Sequence, residues 1–127
     1  LVFSTLHTIG AANTIERIID VFPPNQQRQI MIQLASVLQA VISQQLIPTM
    51  DGTLIPVFEI MEVTPAIRNM IRENKVHQID GLIYSSTGSG MISMDQSLIN
   101  LYKEGQIIKE TAILYASNPE MIIKRIR

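Results

Sequence analysis

The sequence predicts an α/β fold that is present only in part: a strand, a helix pair and a β-hairpin, followed by a helical tail. Three observations predict it. The chain opens on Leu1-Val2-Phe3-Ser4-Thr5-Leu6, a buried-strand pattern. Ile15, Ile18, Ile19 and Phe22 then recur at i, i+3, i+4 and i+7, one apolar helical face. Two β-rich runs, 41–47 and 54–61, flank a turn that contains Asp51-Gly52, a strong hairpin signal. These strands are too few to bury both faces of a doubly wound sheet, so the pattern reads as half of such a domain.

The elements follow in order. Pro23 and Pro24 end the first helix, and a second starts near Asn25 with Ile30, Leu34, Val37, Leu38 and Val41 on one stripe. After the hairpin, Thr64-Pro65 reads as N-cap and first helical residue. Val76, Ile79, Leu82 and Ile83 form the next apolar face. Ser93 and Gln96 make a capping box for a helix through Tyr102, which Gly105 stops. Residues 108–116 read as a further helix, and Asn118-Pro119 starts the last. The expected division is 1–63 for the α/β part and 64–127 for the helical part. A natural protein rarely opens inside a core strand, so the expectation is a chain that starts within a longer protein. The alternative is a short edge strand.

Composition narrows the function. Apolar residues make up 46% and aromatics 5%, so the core must be aliphatic. With 10 basic and 11 acidic residues the chain lacks the basic surplus of a phosphate-backbone reader, and no nucleic-acid partner is expected. The absence of cysteine removes disulfides and thiolate metal sites, and suits a reducing compartment. No apolar run approaches the roughly 20 residues of a membrane span, and the opening run is too short for a signal peptide.

Four segments could carry chemistry. Ser4-Thr5-Leu6-His7-Thr8 puts a histidine and hydroxyls at the carboxyl end of a strand, where ligands bind in open α/β sheets. A histidine there can donate to a phosphate oxygen; it can equally be structural, satisfied by backbone carbonyls. In Ala66-Ile67-Arg68-Asn69-Met70-Ile71-Arg72-Glu73, the residues Ile67, Met70 and Ile71 share one helical face. Arg68 and Arg72 share another beside Asn69 and Glu73. Two guanidiniums a turn apart suit an anion clamp or a subunit contact; a solvated polar face is the plainer reading. His77 with Asp80 is too small a set for a metal, and none is expected. Thr87-Gly88-Ser89-Gly90 lacks the strand context and third glycine of a dinucleotide loop. The seven methionines read as core filler.

Taken in order, STLHT (4–8), AANTIERIIDVFPPNQQRQIMIQLASVLQAVISQQL (11–46), AIRNMIRE (66–73), HQID (77–80) and MDQSLINLY (94–102) closely resemble the PilT family, the type IV pilus retraction ATPases of the secretion-ATPase superfamily. The likeness runs along essentially the whole chain. It implies the C-terminal half of a RecA-like P-loop NTPase motor domain plus the helical tail, in a homohexamer that uses ATP and Mg²⁺. It further implies a cytoplasmic ring at the inner face of the cell membrane, against the inner-membrane pilus platform protein, powering retraction and twitching motility. His7 matches the histidine of the family's His box, with Thr5 and Thr8 beside it, implying γ-phosphate contact or sensing. AIRNMIRE matches the retraction signature, implying that Arg68, Arg72 and Glu73 help to couple hydrolysis to pilin removal.

The chain departs from the family pattern in two ways. No Gly-x-x-x-x-Gly-Lys-Ser/Thr occurs, and no acidic Walker B segment, so the chain alone is expected to be inactive and to hold no nucleotide. Ile9-Gly10 also stands where many relatives carry a polar pair. The competing readings are a pilus-assembly or type II secretion ATPase, against which AIRNMIRE and the absence of cysteine weigh, and a non-enzymatic helical interaction module.

Overall fold

Two nine-residue strands, β1 (Ala40–Pro48) and β2 (Leu54–Glu62), pair antiparallel from Ala40 opposite Glu62 to Pro48 opposite Leu54. They belong to a computed structural model that describes residues 1–126; Arg127, the end of the expected helical part, lies outside them. The Asp51 carboxylate organises the connecting turn, accepting from the Thr49 hydroxyl and from the Thr53 hydroxyl and amide. Those bonds, the Thr49 hydroxyl first, lower the Asp51 pKa to about 2. Gly52 supplies the φ of 84° that the turn needs. Side chains alternate along the hairpin, so Ser43, Ile47, Val57, Glu59 and Met61 face inward. Ile42, Leu46, Leu54 and Phe58 are exposed on the other face.

The expected opening strand is not formed. Residues 1–6 pair with nothing in the two-stranded sheet, and Phe3 is 88% exposed. A strand exists through its ladder, and residues 1–6 have no ladder partner among the described residues.

Helices α1 (Ala11–Asp20) and α2 (Pro24–Val37) follow the expected pair, with Pro24 at the first turn of α2. Ile15 and Ile19 are buried, and Ile18 and Phe22 half-buried. The stripe expected for α2 breaks at its end. Leu38 turns extended (ψ 132°), Val37 is exposed, and Val41 belongs to β1. Helical spacing continued across the boundary because strand residues there happened to fall in step with it.

Short helices complete the chain: α3 (Pro65–Arg72), a 3₁₀ turn (Val76–Gln78), α4 (Ile79–Ser85), α5 (Met94–Lys103), α6 (Lys109–Leu114) and α7 (Pro119–Arg125). Thr64 caps α3 by accepting from the Ile67 amide, and Asn118 caps α7 through the Met121 amide. The capping box at α5 is half formed. Ser93 accepts from the Gln96 amide, but the Gln96 side chain reaches Asn100 and Arg125 rather than returning to the Ser93 amide. Gly105 (φ 73°) ends α5 with the paired bonds Gly105 N–H to Tyr102 and Gln106 N–H to Leu101, a Schellman closure. Asn74 (φ 58°) ends α3 in the same way, through Ile71 and Met70.

Two apolar cores result. One joins α1 to α4 around Ile15, Ile19, Ile67, Ile71, Ile79 and Ile83, with Met61 from β2. The other joins the turn end of the hairpin, through Ile47 and Val57, to Leu98, Ile99, Ile107 and Ile122 of the last helices and their connections. Each core therefore draws on both sides of residue 63. No helix among the described residues is long and apolar enough to cross a membrane.

Candidate functional site

The turn before α1 is held by its own polar groups. Thr14 donates its hydroxyl to the Gly10 carbonyl at 2.8 Å, which leaves the Thr8 hydroxyl as donor in the 2.7 Å contact between the two threonines. Asn13 Nδ2 donates to the Ile9 carbonyl at 2.8 Å. His7, Thr8, Ile9 and Gly10 are thereby tied to the first turn of α1. His7 is exposed and lines an open concavity of about 520 Å³ with Thr8, Asn13, Glu16, Arg17 and Asp20. Thr5 lies elsewhere, in a more apolar hollow of about 590 Å³ with Phe3, Leu38, Val41 and Ile42. Thr8 touches both, so it stands between His7 and Thr5, which line different hollows.

Gly10, the N-cap of α1, has no side chain to receive an amide, and Glu59 does so from β2. Glu59 is 5% exposed; its Oε1 accepts from the Ala11 amide at 2.9 Å and its Oε2 from the Met94 amide at 3.1 Å. Burial pushes the Glu59 carboxyl above the usual carboxylate range, reinforced by the charges of Asp80 and Asp95; the two amides pull it back down. Asp80 is likewise raised, by desolvation first and then by Glu16 and Asp95. Asp95, buried beside Met94, accepts from the amides of Ser117 at 2.6 Å and Asn118 at 2.8 Å, at the start of α7. Sequence reading missed Glu59. Its signal was an acidic residue on the inward face of a strand, between the apolar inward residues Val57 and Met61.

The AIRNMIRE segment is α3 and its cap. Ile67 and Ile71 are fully buried, Met70 partly, and Ala66, Asn69, Arg72 and Glu73 are exposed. The spacing brings Arg68 and Arg72 onto one face, where the two guanidiniums take different partners. Arg68 donates to the Ala35 carbonyl, one of the last carbonyls of α2, where a cation also meets the negative helix end. Arg72 donates to Asn69 Oδ1 at 2.8 Å, and Glu73 pairs with Lys75 at 3.0 Å. Arg68 thus joins two helices, while Arg72, Asn69 and Glu73 face solvent. His77 is exposed, and among the described residues no group of His, Asp and Glu could hold a metal ion. Thr87, Gly88, Ser89 and Gly90 form an exposed turn, with both glycines at positive φ.

No protein-family model matches the chain. Among curated proteins it is 47% identical over 94% of its length to a "Twitching motility protein" of Neisseria gonorrhoeae, of which it covers 32%. It is 45% identical, again over 94%, to a "Type IV pilus retractation ATPase PilT" of Pseudomonas aeruginosa, covering 35% of that protein. Among solved structures it superposes on the pilus retraction motor PilT with bound ADP at a TM-score of 0.82 and 40% identity, over 94% of this chain and 33% of that one. The chain spans about a third of the length of these relatives, and it matches the C-terminal part of the PilT family, with that family's local fold.

Proposed function

We propose that the chain is the C-terminal part of a motor ATPase that hydrolyses ATP to drive type IV pilus retraction and twitching motility. The observation that carries this reading is the match over 94% of the chain, at 45–47% identity, to proteins bearing those names. The geometry agrees with it. His7, Asn13 and Arg17 present hydrogen-bond donors around one open concavity, beside the carboxylates of Glu16 and Asp20; in this reading the donors face the edge of a polyphosphate. Nothing in the sequence supplies a phosphate-cradling loop, so in this reading these residues form one wall of the site. Bound ATP and Mg²⁺ would supply the transferable phosphoryl group and the charge that draws off electrons during its transfer. His7 would contact or sense the γ-phosphate, with Thr8 holding the turn and Thr5 in a supporting place.

In the same proposal the α/β part (1–63) carries the site and the helical part (64–127) carries the coupling. Residues 66–73 deliver the result to pilin removal through the exposed Arg72, Asn69 and Glu73, while Arg68 fastens the helix. The protein works as a homohexamer in the cytoplasm, at the inner face of the membrane and against the pilus platform protein. In the full-length protein, His7→Ala should lower ATP turnover while leaving folding intact. Turnover equal to wild type would remove His7 from the nucleotide site and with it the geometric support for this reading.

A further inference from the structure

Glu59 spends its two carboxylate oxygens on two different helices. Ala11 and Met94, whose amides it accepts, are the first residues of α1 and α5, 48 and 35 positions away in sequence. Both amides are donors that an α-helix cannot satisfy internally, and both helix ends favour a negative charge. The turn that carries His7 is bonded to the first turn of α1 through Thr8, Thr14 and Asn13, so it moves with the Ala11 amide. On the other side, Asp95 follows Met94 and holds the start of α7 through Ser117 and Asn118. A continuous polar path therefore runs from the His7 turn through one buried carboxylate to the last helices. A Cβ on Gly10 would lie in ordinary contact with Glu59 Oε1, at 3.7 Å, so it is the φ of 92° that calls for glycine there.

We propose that Glu59 is a positioning residue of the nucleotide site, holding the His7 turn through the Ala11 amide and carrying its displacement to α5 through the Met94 amide. This rests on the reading of His7 as a nucleotide contact. A shift of the turn either breaks the hydrogen bond from the Ala11 amide or pulls on α5 through the same carboxyl group.

The test is ATP turnover of the full-length protein carrying His7→Ala, Glu59→Gln or both, with KM for ATP, thermal unfolding, and hydrogen exchange at the Ala11 and Met94 amides. Glu59→Gln keeps the shape and one acceptor oxygen but turns an NH₂ group toward the other amide. It should quicken exchange at one of the two amides and lower kcat about tenfold with little change in KM, as expected of a displaced site. The double variant should be no slower than the slower single one, because both changes act on the same turn. Losses that multiply, or a loss that only tracks the unfolded fraction, would overturn the proposal. A slow His7→Ala beside a normal Glu59→Gln sinks the positioning role alone; a normal His7→Ala sinks the nucleotide reading and this proposal together. Should Glu59→Gln fail to fold, Gly10→Ala offers a second approach. It strains the same turn at φ 92° while leaving the carboxylate in place, and it should give the same kcat loss and the same lack of additivity with His7→Ala. Wild-type turnover in Gly10→Ala would overturn the proposal.

Discussion

The two segments with the strongest functional signature are held in opposite ways. Helix α3 is anchored from within: Ile67 and Ile71 are buried in the first core, Thr64 caps one end, Asn74 closes the other, and Arg68 reaches across to α2. The His7 turn has no apolar anchor of its own. Leu6 and Ile9 on either side of it are exposed, and polar bonds fasten it to α1 and, through Ala11, to Glu59. A segment held by burial resists displacement strongly and without direction. One held by a few directional bonds can respond to what binds beside it, because each bond contributes only about 1 kcal/mol net.

That contrast can be broken by measurement. The largest effect belongs to α3: Ile67→Ala should cost about 2–5 kcal/mol in urea unfolding, from lost burial and the cavity left behind. A loss below about 1 kcal/mol would mean that burial does not anchor the helix. Arg68→Ala should cost about 1–2 kcal/mol by leaving the Ala35 carbonyl without its cationic partner, and a neutral result would show that this bond does not help to hold α3 to α2. The polar anchor is expected to show in pH dependence. Since the folded Glu59 pKa is raised, its contribution to stability is complete below the ordinary glutamate value of about 4.3 and is lost as pH rises through the raised one. Glu59→Gln should flatten stability against pH in that window; Asp80, raised in the same sense, keeps its own share. An unchanged profile would show that Glu59 does not titrate there. The smallest effects belong to His7→Ala and Arg72→Ala, each within about 0.5 kcal/mol, since both side chains are exposed. A larger loss from His7→Ala would make that residue structural after all.

Much of the fold was legible because local chemistry set it. Asp51-Gly52 marked the hairpin, Thr64, Ser93 and Asn118 marked helix starts, and Gly105 marked a stop; each works through its nearest neighbours in the chain. The site was legible in part. The pattern placed His7, Thr5 and Thr8 together, but a strand end does not fix which hollow each residue lines, and Thr5 falls in another. Helical spacing set Arg68 and Arg72 on one face, yet the Ala35 carbonyl that claims Arg68 lies 33 positions away.

By itself, the sequence determined where the chain turns, caps and alternates, and which residues are apolar enough to be buried. These depend on backbone preferences and side-chain periods that act over three or four residues. Only the tertiary structure decided that residues 1–6 make no ladder, that the capping box at α5 closes halfway, and that Glu59 joins the start of α1 to that of α5. The physical reason is that each of these is settled by which donors and acceptors meet across the fold. Hydrogen-bond partners tens of residues apart leave no period in the sequence to read.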